Sequence, residues 1–369
     1  METLVKQEVV IKTEVLQEIV GKAFKVCSMM DAFPLTSMLQ ITVNEGKLTI
    51  TSTDNINILK LEKNIDSTSS VDFVVNAKLF ASLISKISTP LTTLVVEDKK
   101  ITVVANGKYE LPLVTEEDGS KVSLPEISFN SSVISNHVNA LELKTILTMN
   151  KSCKADMKEM PSLYNYYMDN ERVLTTDYYK ACNNPVKLFN NPVCLPPELV
   201  DLIVLVADDS GVDVQEDGES VLFSSSLGSL YGRKATAEDL EAYPITDILD
   251  ALNESFNWQC VLNKTMFMDA LDRVCLFTEG FDSNAINIKF EKDKLTLTTK
   301  RSGTHESIKY IQESNCDTEF NITLDALFLK NQLASSARED VVIKFGNESG
   351  IELVWDKITQ LSSSLEDEV

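Results

Sequence analysis

Residues able to do chemistry are few in this chain, and they are scattered. The two histidines, His137 and His305, stand far apart, and no His/Glu pair has the spacing of a metal site. The seven cysteines (Cys27, Cys153, Cys182, Cys194, Cys260, Cys275 and Cys316) form no CxxC pair, so they read as reduced, mostly buried thiols. HExxH, P-loop and GxGxxG patterns do not occur. The carboxylate run Glu116-Glu117-Asp118 lies in a polar linker and reads as solvated charge. Asp177 beside Tyr178 and Tyr179 can be drawn as an acid–base site. Asp54 has a similar strand-end setting, however, and a turn role explains both. The expectation is a protein that is not an enzyme, with no metal and no cofactor.

The elements that would position these residues recur. Each of three copies opens with an amphipathic helix: Glu14–Phe24, Leu141–Lys151, and the stretch from Leu262 through Val274. A hairpin follows, at Leu39–Asp54, Tyr164–Asp177 and Ile286–Thr298, with two-residue alternation around a polar turn. A second helix comes next, near Ala77–Ile84, Pro196–Ile203 and Leu324–Leu329, and then a closing pair of strands. Thr53-Asp54 and Thr176-Asp177 are about 123 positions apart, and three such periods fill the 369 residues. Polar segments at 115–121 and 234–239 suggest boundaries, giving domains 1–125, 126–250 and 251–369. The fold class expected is α+β.

Bulk composition fits this organisation. Apolar content of 43% and charged content of 24% are ordinary for a globular protein. The N-terminus lacks an apolar leader, and no apolar run is long enough for a bilayer, so a cytoplasmic protein without membrane contact is expected. A net charge of −22 argues against coating nucleic acid through a general basic surface. It does not exclude holding DNA by topology, where tight phosphate binding would oppose sliding.

With these features together, the chain resembles the bacterial-type DNA polymerase sliding clamps. The resemblance is carried by the three-copy order, by Leu48-Thr49-Ile50-Thr51-Ser52-Thr53-Asp54, by Leu174-Thr175-Thr176-Asp177, by Ala270–Leu276 and by Tyr243-Pro244. It spans essentially the whole length and suits a divergent member, from a bacterium or a bacteriophage-infected bacterial cell. It implies three tandem clamp domains, each with two helices packed on antiparallel sheets. Two chains would then make a ring-forming homodimer that encircles double-stranded DNA without reading sequence. The partners it implies are a replicative DNA polymerase and a clamp loader.

The resemblance also implies roles for residues. Tyr109 and Leu111 on one side, with Leu276 and Phe277 on the other, would form the dimer interface. The helices would line the DNA-facing pore with Lys22, Lys25, Lys78, Lys86, Lys144, Lys151, Lys154, Lys158, Lys264, Arg273, Lys330 and Arg338. A partner-peptide pocket would comprise Leu163, Thr176, Tyr178, Tyr179, Lys180, Ala181, Pro244, Ile248, Ile358 and Gln360. The family's Gly-His-Arg-Leu after Thr-Asp is replaced by Tyr178-Tyr179-Lys180-Ala181, which should fill or reshape that groove. The acidic tail from Ser362 to Val369 is expected to be mobile. Two rivals stand beside the clamp: a ring-shaped interaction scaffold without a DNA role, and an unrelated hydrolase with its polar residues gathered in one cleft.

Overall fold

A computed structural model describes residues 7–28, 33–129, 134–156, 160–278, 284–299 and 304–365. One order of elements occurs three times in it. The first copy is β1 (Gln7–Lys12), α1 (Thr13–Phe24), β2 (Met38–Asn44), β3 (Lys47–Thr53), β4 (Ile58–Asn64), β5 (Val71–Asn76), α2 (Ala77–Ile84), β6 (Leu91–Val96), β7 (Lys100–Val104) and β8 (Lys108–Pro112). The second is β9 (Ile134–Val138), α3 (Ala140–Lys151), β10 (Tyr166–Met168), β11 (Val173–Thr176), β12 (Lys180–Asn184), β13 (Val193–Leu195), α4 (Pro197–Ile203), β14 (Val212–Asp217), β15 (Ser220–Ser225) and β16 (Gly228–Arg233). Two extra helices follow, α5 (Ala237–Glu241) and α6 (Ile245–Leu252). The third copy is β17 (Trp258–Asn263), α7 (Lys264–Cys275), β18 (Ala285–Phe290), β19 (Lys294–Thr299), β20 (His305–Lys309), β21 (Phe320–Asp325), α8 (Ala326–Ser335), β22 (Asp340–Asn347), β23 (Gly350–Trp355) and β24 (Ile358–Ser363).

Each copy thus begins with a strand that the helical periodicity hides. Leu262 belongs to β17 rather than to the helix after it, and Leu324 to β21 rather than to α8. Polar caps set these strand-to-helix switches. Asn76, Asn263 and Asp325 each accept a backbone N–H from the first turn of the helix that follows.

The chain divides into two compact units. One comprises residues 1–140 with 198–234, the other residues 141–197 with 235–369. The first unit holds an eight-stranded antiparallel sheet, β5-β2-β3-β4-β16-β15-β14-β9, and a four-stranded sheet, β1-β6-β7-β8. Its helix α1 buries Leu16, Ile19, Val20 and Ala23, and Gln17 Nε2 ties α1 to the end of α2 by donating to the carbonyls of Ile84 and Ile87, 2.9 Å each. The second unit holds the sheet β13-β10-β11-β12-β24-β23-β22-β17 and the sheet β20-β19-β18-β21. Phe267, Leu271 and Val274 of α7 are buried in its core, where Phe290 stacks on Phe345 at 4.1 Å between centroids.

The long sheets cross the repeat. In the first unit β16 of copy two pairs antiparallel with β4 of copy one, and in the second β24 of copy three pairs with β12 of copy two. The polar C-terminal segment is anchored as far as Leu365. Ser362 and Ser363 complete β24, and the N–H groups of Ser364 and Leu365 donate to the carbonyls of Ser349 and Thr323. Only Glu366–Val369 of the tail expected to be mobile lie outside the described residues.

Candidate functional site

The Thr-Asp pair that marks the repeat builds one turn twice. Thr176 Oγ1 accepts the N–H of Tyr178 at 3.0 Å and donates to the carbonyl of Lys180 at 2.9 Å. Asp177 Oδ1 accepts the N–H groups of Tyr179 and Lys180, 3.0 and 2.9 Å away. In copy one Thr53 and Asp54 make the same four bonds around Asn55, Ile56 and Asn57. The shared backbone needs a left-handed residue in third place. Asn55 has φ 82° and Tyr178 has φ 72°. Asparagine visits that region readily, whereas tyrosine pays about 1–2 kcal/mol. The turn therefore accounts for Asp177 without any acid–base role, and its second oxygen ion-pairs with Lys180 Nζ.

The residues expected to line a peptide pocket are all in the second unit, but they occupy different depths. Leu163, Thr176, Lys180, Ala181, Ile248 and Gln360 are buried, while Pro244 and Ile358 are half-buried. Tyr178 and Tyr179 are the exposed pair, at 59% and 51%. Leu163, Ala181 and Ile248 join Tyr167, Leu174, Tyr243 and Leu361 in an apolar cluster, against which Ile245, Ala251 and Leu252 of the α6 helix also pack. Tyr243 stacks on Tyr167 at 5.5 Å and donates to the carbonyl of Leu174 at 3.3 Å. Burial pushes the Tyr243 phenol well above its ordinary range and the Cys194 thiol up to about 12, so neither exchanges protons near neutrality.

Gln360 departs furthest from the expected lining role. It is wholly inside, and its Nε2 donates to Met149 O, Ser152 Oγ and Ser335 Oγ while its Oε1 accepts from Trp355 Nε1. It knots β24 to α8 and to the end of α3. Leu163 likewise supports the surface from below. Lys180 lies with its ammonium 4.1 Å from the centre of the Phe328 ring, committed to its own chain. The α5–α6 insert escaped the sequence reading, although Thr236 and Asp239 make a full capping box at its start.

The basic residues assigned to a pore are placed unevenly. Lys25, Lys78, Lys86, Lys144 and Lys151 are exposed on or just beyond helices. Lys22 pairs with Glu18 at 3.1 Å, Arg273 with Glu306, Lys330 with Asp272 and Arg338 with Asp356. Lys264 Nζ donates to Ser336 O at 2.6 Å, and Lys154 lies 4.6 Å over the Tyr164 ring. Lys158 lies outside the described residues. No helix among the described residues is long and apolar enough to cross a membrane.

Of the residues assigned to a dimer interface, Leu276 and Phe277 follow the last turn of α7 and are 64% and 47% exposed. Tyr109 is 39% exposed on β8, the edge of its sheet. Leu111 is different. At 4% exposure it packs into its own unit, because it lies across from Ile101 over the core.

Comparison with known proteins places this architecture. Residues 7–124 match the family described as DNA polymerase III beta subunit, N-terminal domain. The beta subunit from DNA polymerase of Streptococcus pyogenes superposes with a TM-score of 0.81 at 17% identity, covering 97% of this chain and 99% of that one. The fold is that of the bacterial beta clamps. The DNA polymerase III beta subunit of Thermotoga maritima gives a TM-score of 0.81 at 16% identity, covering 98% of this chain and 99% of that one. The Helicobacter pylori beta clamp bound to a DNA ligase peptide gives 0.77 at 15% identity, covering 97% and 99%. No curated protein matches the chain. The clamp fold thus extends over all three copies, while the family match covers the first.

Proposed function

We propose that this chain is a DNA polymerase sliding clamp, a non-catalytic ring subunit that encircles duplex DNA and tethers a replicative polymerase. The observation that carries the reading is the threefold recurrence of one element order within a clamp fold covering 97% of the chain. On this reading the domains are 1–125, 126–250 and 251–369, and the sheets β16–β4 and β24–β12 are the two joins between successive domains. A second copy completes a closed ring, since identical head-to-tail contacts close when their rotation does. Exposed Lys25, Lys78, Lys86, Lys144 and Lys151 contact phosphates loosely and without base readout. Polymerase and loader segments dock at the exposed Tyr178–Tyr179 face beside the apolar cluster of Tyr243 and Ile248. The place of work is the cytoplasm of a bacterium or of a phage-infected bacterial cell.

One observation favours a ring-shaped scaffold with no DNA role. Lys22, Arg273, Lys330 and Arg338 are each neutralised by a neighbouring carboxylate, in a chain of net charge −22. A retention assay separates the two. Protein loaded on nicked circular DNA should stay bound through gel filtration and leave once a restriction enzyme linearises the circle. Equal loss from circle and line would overturn the topological reading and leave the scaffold.

A further inference from the structure

Two thiols meet inside the second unit. Cys153 is the second residue after α3, Cys182 lies on β12, and solvent reaches neither. Their side chains hydrogen-bond to one another. Asn150 holds both backbones. Its carbonyl accepts the N–H of Cys153 at 3.0 Å, and its Nδ2 donates to the carbonyl of Cys182 at 3.1 Å. Asn150 is fixed in turn, since its Nδ2 also donates to Val173 O at 3.2 Å and its Oδ1 accepts from Asn184 Nδ2.

An amide is aimed at each sulfur. Gln332 Nε2 on α8 donates to Cys153 Sγ at 3.6 Å, and Asn184 Nδ2 donates to Cys182 Sγ at 3.5 Å. The oxygens of the same two amides, Gln332 Oε1 and Asn184 Oδ1, are buried and have no partner. Nearly all buried oxygens have one, so two orphans beside two thiols mark a place suited to a small donor. The sulfurs are also unlike each other. Burial opposes charge on Cys153, but hydrogen bonds from Cys182, Ser152 and Gln332, with the Lys180 ammonium nearby, outweigh it and lower its pKa. Burial raises the pKa of Cys182, and its neighbour Cys153 adds to the rise. Thiolate character therefore gathers on one sulfur while the other keeps its proton, which suits an attacking and a resolving thiol. Cys27, Cys194 and Cys260, by contrast, are pushed up to about 12 by burial.

We propose that Cys153 and Cys182 are a peroxide-sensitive pair that closes reversibly into a disulfide and fastens the end of α3 to β12. Hydrogen peroxide is close to water in size and brings two O–H donors to the orphaned amide oxygens. Cys153 Sγ attacks one peroxide oxygen, the O–O bond breaks, and the leaving hydroxide takes a proton to become water. A sulfenic acid remains on Cys153. Cys182 Sγ then attacks that sulfur, the S–O bond breaks, and a second water leaves with the Cys182 proton. Two thiols are oxidised and one peroxide is reduced to two waters. Cys182 faces Gln360 across the β12–β24 pairing, so the new bond braces the strand on which the third copy is joined.

The full chain, reduced and then freed of reductant, should be treated with hydrogen peroxide alone. It should become lighter by two hydrogens, fall from seven free thiols to five on denaturing titration, and yield one crosslinked peptide joining Cys153 to Cys182. Closing a loop of about 30 residues should raise the tryptophan-reported urea midpoint by about 1–2 M, and dithiothreitol should reverse the rise. Cys153→Ser and Cys182→Ser should each abolish the crosslink. Since a buried hydroxyl can itself weaken the fold, Cys27→Ser with Cys275→Ser supplies the other arm. It alters the two part-exposed thiols and should leave the crosslink undiminished. Oxidation confined to Cys27 or Cys275, a gain of oxygen at Cys153 or Cys182 without a crosslink, or seven thiols still free after treatment would each overturn the pair. A crosslink that leaves the urea midpoint unmoved would overturn the bracing.

Discussion

Gln360 separates a supporting role from a binding role by experiment. Its side chain is fully enclosed, with its two amide hydrogens shared among three acceptors at 3.1–3.3 Å and one bond accepted from Trp355 Nε1 at 3.0 Å. Each such bond contributes a net ~1 kcal/mol, and a buried indole N–H left without an acceptor costs about 1–3 kcal/mol. Gln360→Ala should therefore destabilise the second unit by about 4 kcal/mol once the small cavity is included. Gln360→Leu keeps the volume and should cost about 2–3 kcal/mol, chiefly from the orphaned polar partners. The readout is specific, because both tryptophans, Trp258 and Trp355, lie in the second unit. Their fluorescence follows its urea transition alone, and the Ala variant should move that midpoint down by about 1–2 M. A loss under ~1 kcal/mol, together with weaker capture of a polymerase-tail peptide, would refute the interior role and put the amide on the binding face.

Other outcomes follow from single sites. Tyr178→Val should lower the same transition by about 1–2 kcal/mol, because a β-branched residue tolerates the left-handed turn poorly, whereas Tyr178→Gly should leave it within about 1 kcal/mol. Asp177→Ala should destabilise by about 2–3 kcal/mol by removing the side-chain acceptor of two backbone N–H groups and the partner of Lys180, and Asp177→Asn should recover the backbone part; urea midpoints for the three proteins decide it. The hydrogen bond that His137 Nδ1–H donates to Asp213 Oδ1, 2.7 Å long, raises the His137 pKa above its ordinary value. Its stabilisation is therefore complete below the unfolded value of about 6.5 and fades as pH rises through the raised folded value. An NMR titration should show the raised pKa return to ordinary in Asp213→Asn. Burial pushes the Asp208 carboxyl up, but hydrogen bonds from Ser210, Ser226 and Ser225 outweigh it and hold the pKa at about 2. That contribution is present above an unfolded value of about 3.9 and lost as pH falls through about 2, and Ser226→Ala should raise the titration midpoint seen by NMR.

The fold was legible because period-two strands and period-3.6 helices leave different apolar patterns, and the same pattern returns every ~123 residues. What escaped were elements whose signal overlaps a neighbour's. β17 runs straight into α7 with no loop between Asn263 and Lys264, so Leu262 reads equally well as a helix residue. The α5–α6 insert has a capping box and apolar spacing of its own, but its acidic content resembles a linker. Site residues were harder, since sequence position does not report depth. Gln360 and Tyr178 both belong to segments resembling the family's pocket, yet one is enclosed by four polar partners and the other stands in solvent. Leu111 shows the limit of strand alternation: it shares a face with Tyr109, but only the residue nearer the strand's free end stays uncovered.

The two joins within the chain differ in chemistry, for β16 meets β4 through the buried apolar pair Leu230 and Leu59. Within the chain, β24 meets β12 through Gln360, Cys182 and Ser152, a largely polar set that contributes little net association energy. It can do so because the linked strands are held at high effective concentration, and the ordering is already met by folding. A join between separate copies has no such help and must offset lost translational and rotational freedom itself. On the ring reading proposed above, the exposed Tyr109, Leu276 and Phe277 would supply that apolar burial, each able to contribute about 1.5–3 kcal/mol on full burial. On these grounds, polar substitution at Leu276 with Phe277→Asp should abolish the dimer in light scattering while the tryptophan-reported transition stays put. A shared loss of both would mean that the two residues hold their own unit together.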